Sequence, residues 1–240
     1  MKVENSVLNY KDLKIIQDSD MFNFCIDSVL LARFWEPSKK YKNILDFGTN
    51  NAIIPLIISK YTDSKITGVE IQKEACEIAI QNIEMNNLSN QINIVNEDIK
   101  EFVKDKNNHF DLLFCNPPYF KVNEDSNLNK RSEMLTPARH EVSINLEQII
   151  ASAKITLKNG GKLIMIHLSE RIDEIIILLK QNNFSVKRIQ FIHSKEGQDS
   201  KRLIIEAIND GNQGVKILEP LYIHNEDGSY KEKILEMFGD

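Results

Sequence analysis

Three cysteines, Cys25, Cys76 and Cys115, are all that the 240 residues contain, and they lie far apart. That spacing excludes a disulfide framework and a cysteine metal site, and it fits a reducing cytoplasm. No apolar run is long enough to span a bilayer, and the N-terminal "MKVENSVLNYKDLK" has no apolar signal-peptide core. The expectation is a cytoplasmic protein with no membrane association, no metal and no obligate protein partner. Internal repeats and low-complexity tracts are also missing. The net charge of −5 lacks the basic excess of many nucleic-acid binders. Its distribution is uneven, however. Residues 158–202 hold nine Lys/Arg against five Asp/Glu, and residues 203–240 hold three against eight. Binding a polyanion needs one basic face, not a basic total. An ordinary solvated surface explains the same pattern.

What is present is alternation. The length suits one domain over 1–240, with an N-terminal segment 1–42, a core 43–210 and an appendage 211–240. From residue 43 short apolar runs alternate with amphipathic stretches. Strands are expected at 43–48, 65–70, 91–98, 110–115, 162–168, 185–192 and 201–208. Helices are expected at 52–61, 73–87, 143–157 and 170–183, with "NGG" (159–161) ending the third. Pro55 falls in a first helical turn, where its missing N–H matters little. Near-continuous apolar strands separated by helices predict an α/β fold, a mostly parallel seven-stranded sheet covered on both faces. The last two strands have no helix between them and are expected as an antiparallel hairpin. The tail offers a short strand and a short helix. The polar run 120–140 has no period, and loops of that length are usually functional or disordered.

Ligands of such sheets sit beyond the carboxyl ends of the strands. Four of those ends carry polar groups. "DFGTNNA" (46–52) is a turn in which Gly48 can take a left-handed φ, with Asn50 and Asn51 next best suited to one. Glu70 follows about twenty residues later and can accept both ribose hydroxyls, or serve as a helix cap. Asp98 closes the third strand and is an N-cap candidate. The fourth end is "CNPPYF" (115–120), where two prolines must stop the strand. The order of turn, acid, acid and "NPPY" points to a nucleotide-like ligand.

With these motifs the chain resembles the class I S-adenosylmethionine-dependent methyltransferases, a Rossmann-like fold in which "NPPY" marks amino-group methylation. Within them it is most similar to the bacterial tRNA adenine-N6 methyltransferases that modify position 37, beside the anticodon of a valine tRNA. "FNFCIDSVLLARFW" (22–35), "ARHE" (138–141) and "GQDSKRLIIEA" (197–207) carry that second likeness. The resemblance implies S-adenosyl-L-methionine as cofactor and the anticodon stem-loop of tRNA as partner. It places Asp46, Gly48 and Asn50 at the methionine-side loop and Glu70 at the ribose. Asp98 faces the cofactor's adenine amino group, Ile71 and Ile99 pack on that ring, and Asn116 borders the cofactor. Asp27 is either a methionyl contact or an N-cap. The family loop carries two or three glycines; here Asn50 and Ala52 stand in two of those places. Cofactor binding is expected to survive this.

An adenine amine is a poor nucleophile because its lone pair is delocalised into the ring. Asn116 supplies a side-chain oxygen and Pro117 a carbonyl to accept its two N–H groups, with Pro118 stiffening the turn. Tyr119 is expected to stack on the target base, and Phe120 to stack or to pack in the core. Lys121, Arg131, Arg139, Lys195, Lys201 and Arg202 are candidates for a phosphate rim, together with Lys130, Lys187 and Arg188. His140 orders the loop or is an ordinary packed histidine. Three alternatives stand beside this: guanine-N2 RNA methylation, protein-glutamine N5 methylation, and a non-catalytic RNA-binding module. Only about forty residues precede the first core strand, which argues against the glutamine enzymes and their leading helical domain.

Overall fold

Five parallel strands run through the sheet, and the inner ones bury mostly apolar side chains on both faces. The computed structural model describes residues 2–18, 25–118 and 144–239. After an N-terminal hairpin of β1 (Lys2–Val7) and β2 (Tyr10–Asp18) comes helix α1 (Ile26–Phe34). The core then runs β3 (Asn43–Phe47), α2 (Ile53–Ser59), β4 (Lys65–Glu70), α3 (Lys73–Met85), β5 (Ile92–Asn96), a short α4 (Ile99–Phe102) and β6 (Phe110–Cys115). It continues with α5 (Leu146–Thr156), β7 (Leu157–Leu168), α6 (Ile172–Gln181), β8 (Phe184–His193) and β9 (Ser200–Asn209). Two-residue strands β10 (Lys216–Ile217) and β11 (Leu221–Tyr222) and helix α7 (Glu232–Met237) close the chain.

The sheet order is β10-β8-β9-β7-β6-β3-β4-β5, with β11 also beside β8. Strands β3 to β7 pair in parallel, and β9 enters antiparallel between β7 and β8. The seven expected strands and the antiparallel hairpin are therefore present, with two short strands added along β8. The strand order reverses between β3 and β6, which opens a crevice at their carboxyl ends.

Side-chain alternation assigns the two layers. Ile44, Leu112, Phe114, Ile164 and Ile166 join the core under α1, α2 and α3. Leu45, Phe47, Leu113, Cys115, Leu163 and Met165 join the core under α5 and α6. By the same alternation Asp46 and Asn116 fall on the α1 side.

One expectation needs correction. Helix α5 stops at Thr156, and the strand begins at once with Leu157, so "NGG" lies inside β7. There Gly160 takes φ +78°, and the β6–β7 register shifts between Phe110 and Leu112. The N-terminal segment contributes an ordered hairpin with Leu8 at φ +51° in its turn.

Helix α3 holds that hairpin by side chains acting like a neighbouring strand. Asn86 accepts from Lys14 N–H at 2.9 Å and donates to Lys14 C=O at 2.7 Å. One turn earlier, Asn82 accepts from Ile16 N–H at 2.6 Å and donates to Ile16 C=O at 3.3 Å. Asn82 is fully buried and also donates to the Asn51 carbonyl at 2.9 Å, so it joins the hairpin to the loop after β3. Replacing Asn82 by Ala leaves those backbone groups buried without partners. Asn82→Ala is expected to lower stability by about 3 kcal/mol in urea denaturation; a loss under about 1 kcal/mol would mean that water replaces the amide.

Candidate active site

The loop between β3 and α2 has the backbone of a glycine-rich turn with one glycine. Gly48, Asn50 and Ala52 lie at φ +68°, +49° and +65°. Asn tolerates this region through its short polar side chain, and Ala does so at a cost of about 1–2 kcal/mol. What holds the loop is hydrogen bonding to the next strand. Gly48 N–H and Thr49 N–H both donate to the Val69 carbonyl, at 2.9 and 3.1 Å. Asn50 N–H donates to Glu70 Oε2 at 2.9 Å, and Gln72 N–H donates to Glu70 Oε1 at 2.9 Å. Thr49 lies over Gly68, where a Cβ would come within 2.7 Å of Thr49 Oγ1. A Cβ on Gly48, by contrast, would meet nothing within 4 Å, so the turn faces open space.

Around that space the buried polar atoms are acceptors in excess. Asp46 is fully buried, and neither of its carboxylate oxygens has a hydrogen-bond partner. Burial pushes its pKa up to about 8; the nearby Thr49 hydroxyl opposes the rise without completing a hydrogen bond, and the charge of Glu70 adds to it. Glu70 is also raised by burial, against the backbone N–H groups that it accepts from. Thr49 Oγ1 and Asn51 Oδ1 are likewise buried and unpartnered. A buried anion that finds no donor is expensive. A ligand bringing a positive charge and hydroxyl donors fits this set. Beyond Glu70, Ile71 is 40% exposed, an apolar surface at the rim of the same opening. Ile99 is partly buried against the core. Asp98 is the N-cap of α4: its Oδ1 accepts from Lys100 N–H at 2.8 Å, and its Oδ2 lies 3.6 Å from Lys100 Nζ.

On the far side of the switch point, β6 ends in Asn116-Pro117-Pro118. Asn116 is half-buried, Pro117 buried and Pro118 exposed. Asn116 Nδ2 donates to Ser28 Oγ at 3.0 Å, a partner that nothing in the sequence pattern singled out. The adjacent Asp27 accepts from Arg202 Nε at 3.1 Å. Cys25 is the cap of α1, so Asp27 stands in the first helical turn rather than at the N-cap. Lys201 is exposed, and Lys195 donates to the Glu226 carbonyl at 2.8 Å. Arg188 turns inward to Glu206 and Glu36, at 2.7 and 2.8 Å, and Lys187 donates to the Asn212 carbonyl. His167, at the end of β7, was not foreseen either; burial, helped by Arg171, lowers its pKa to about 4, so it is neutral at pH 7. Tyr119, Phe120, Lys121, Lys130, Arg131, Arg139 and His140 lie outside the described residues.

A parallel sheet with one inserted antiparallel strand, acid-ended strands and an Asn-Pro-Pro turn defines a methyltransferase. The chain matches the family model of the methyltransferase small domain over residues 26–185, more than half its length, and belongs to that family. Among curated proteins it is similar to the tRNA1(Val) (adenine(37)-N6)-methyltransferase of Aliivibrio salmonicida, at 28% identity over 75% of this chain and 74% of that protein. It is similar to the protein of the same name from Parabacteroides distasonis, at 25% identity over 84% and 83%. Its fold is shared with a predicted O-methyltransferase from Agrobacterium tumefaciens, with a TM-score of 0.67 at 18% identity over 88% of this chain and 94% of the other. It is shared also with geranyl diphosphate methyltransferase in complex with GPP and sinefungin, with a TM-score of 0.55 at 8% identity over 76% and 77%. No helix among the described residues is long and apolar enough to cross a membrane, and among them no group of three or more His, Cys, Asp or Glu could hold a metal.

The buried acid makes a testable demand. Asp46 rises from an ordinary 3.8 to about 8, so the folded protein holds a proton that the unfolded chain releases. Its contribution to stability is present at low pH and is lost as pH climbs through that window. Ligand-free protein should therefore weaken between about pH 4 and 8, and Asp46→Asn should flatten that part of the urea-midpoint profile. An unchanged slope would show that water reaches the carboxylate.

Proposed function

We propose that this protein transfers a methyl group from S-adenosyl-L-methionine to the exocyclic N6 amine of an adenine in tRNA, at position 37 beside the anticodon. The observation that carries this reading is the Asn116-Pro117-Pro118 turn, which closes β6 across the switch point from the buried Asp46 and Glu70. Its support in substrate comes from the relatives named tRNA1(Val) (adenine(37)-N6)-methyltransferase. The proposal treats 1–240 as one catalytic unit working in the cytoplasm.

When bound, S-adenosyl-L-methionine supplies an electrophilic methyl group on a positively charged sulfur. Asp46, losing its proton as the cation arrives, and Glu70 would provide negative charge and acceptors for its ammonium and ribose hydroxyls. The open side of Gly48 lets the backbone approach, and Ile71 and Ile99 flank the adenine ring. Asn116 Oδ1 and the Pro117 carbonyl accept the two N–H groups of the target amine. That draws the nitrogen lone pair out of conjugation and aims it at the methyl carbon. The amine's surplus proton leaves to solvent after transfer, so no strong base is needed. Tyr119 is assigned to stacking on the flipped or looped-out base. Lys195 and Lys201 belong to the outer rim that meets phosphates.

Mass spectrometry of nucleosides from tRNA incubated with protein and cofactor should reveal N6-methyladenosine at position 37. N2-methylguanosine, or no methylated nucleoside, would overturn the assignment. Asn116→Ala should lower kcat by about 10²- to 10³-fold with little change in S-adenosylhomocysteine affinity. Glu70→Ala should instead weaken that affinity at least about tenfold, since charge-assisted hydrogen bonds are lost and the loop after β3 is released. If Asn116→Ala keeps near-normal turnover, the acceptor role is wrong. Binding of tRNA should also weaken log-linearly with salt, and more shallowly in a Lys195→Ala/Lys201→Ala variant; an affinity indifferent to salt would remove the phosphate rim.

A further inference from the structure

We propose that Ser28 is a positioning residue for methyl transfer: its hydroxyl holds the Asn116 carboxamide so that the amide oxygen meets the amine. This rests on the acceptor role proposed for Asn116. The two edges of a carboxamide are opposite in character, one accepting and one donating two protons. A half-turn about the last side-chain bond exchanges them, and nothing in the amide itself favours either state. Presented with its NH₂ edge outward, Asn116 would set donors against the donors of the target amine. In its contact with α1 the amide is held in the other state. Nδ2 points at Ser28 Oγ, 3.0 Å away, on a serine only 7% exposed. The hydroxyl accepts here without bringing a competing charge.

The serine is itself fixed. It stands in the first turn of α1, with its backbone N–H donating to Cys25 C=O at 3.1 Å. Its neighbour Asp27 is ion-paired to Arg202 of β9, and Val29 to Ala32 are buried in the core beneath. One helical turn is thus fastened to β6 through Ser28 and to β9 through Asp27, on either side of β7. The amide of Asn116 follows a strand whose preceding residues are fully buried, so its backbone cannot swing to compensate.

The test is Ser28→Ala, measured as single-turnover methyl transfer beside three other quantities. The rate should fall about tenfold, the worth of one hydrogen bond of about 1.4 kcal/mol. S-adenosylhomocysteine affinity and KM for tRNA should stay at wild-type values. The side-chain amide protons of Asn116, identified by their loss in Asn116→Ala, should shift in nitrogen-edited NMR spectra. Ser28→Thr, which keeps an oxygen at the γ position, should recover rate and amide signal together. A wild-type rate in Ser28→Ala overturns the proposal, as does a slowed rate with an unmoved amide signal. A fall in rate matched by a fall in cofactor affinity makes the serine merely structural, and also overturns it. Retained turnover in Asn116→Ala is a different result: it refutes the acceptor reading itself.

Discussion

The carboxylate of Glu70 is the constraint on which the ligand end of the sheet depends. One oxygen takes the N–H of Asn50 and the other that of Gln72, so a single buried side chain shapes the turns after two strands. Burial penalises its charge, and the backbone amides of Gln72, Asn50 and Ile71 offset part of that penalty. Because the loop is gripped from β4, it does not need glycine at each left-handed position. Asn50 and Ala52 keep the conformation that the carboxylate and the Val69 carbonyl impose. The loop's one glycine, Gly48, sits at φ +68° where the backbone faces open space.

The second constraint is the layering of the sheet. Alternation places Asp46 and Asn116 on the layer of α1, and the first turn of that helix reaches across to meet the second of them. The loop after β3, the Asn116 amide and α1 therefore converge without any long loop being needed to join them. Asp46 remains short of donors, and Ile71 remains half in water. Both are poor choices for stability alone, and both make sense where a cationic, partly apolar ligand completes the core.

Much of this was legible in the sequence, for physical reasons. Buried strands read as unbroken apolar runs, so the parallel β3, β4 and β6 and the antiparallel β8–β9 pair stood out, as did the polar residues at their ends. The hairpin of β1 and β2 did not, because its apolar residues are few and its edge is completed by asparagines far along the chain. The start of β7 was misplaced because Asn159-Gly160-Gly161 has the composition of a turn, whereas the strand runs through it with Gly160 left-handed. Charge was less legible. Arg202 and Arg188 read as candidates for phosphate, yet they spend their guanidinium groups on Asp27, Glu206 and Glu36. Ser28 carried no periodicity or spacing signal, since a single hydroxyl contact is set only by tertiary packing.

The amides of Asn82 and Asn86 have one more implication. Lys14 and Ile16 would otherwise present an unpaired row of N–H and C=O groups, an open template for another chain's strand. Two side chains one helical turn apart occupy that row and end the ladder there. The protein thus closes a sticky margin with a helix instead of a further strand, and a crowded cell meets a finished surface rather than a seam inviting polymerisation.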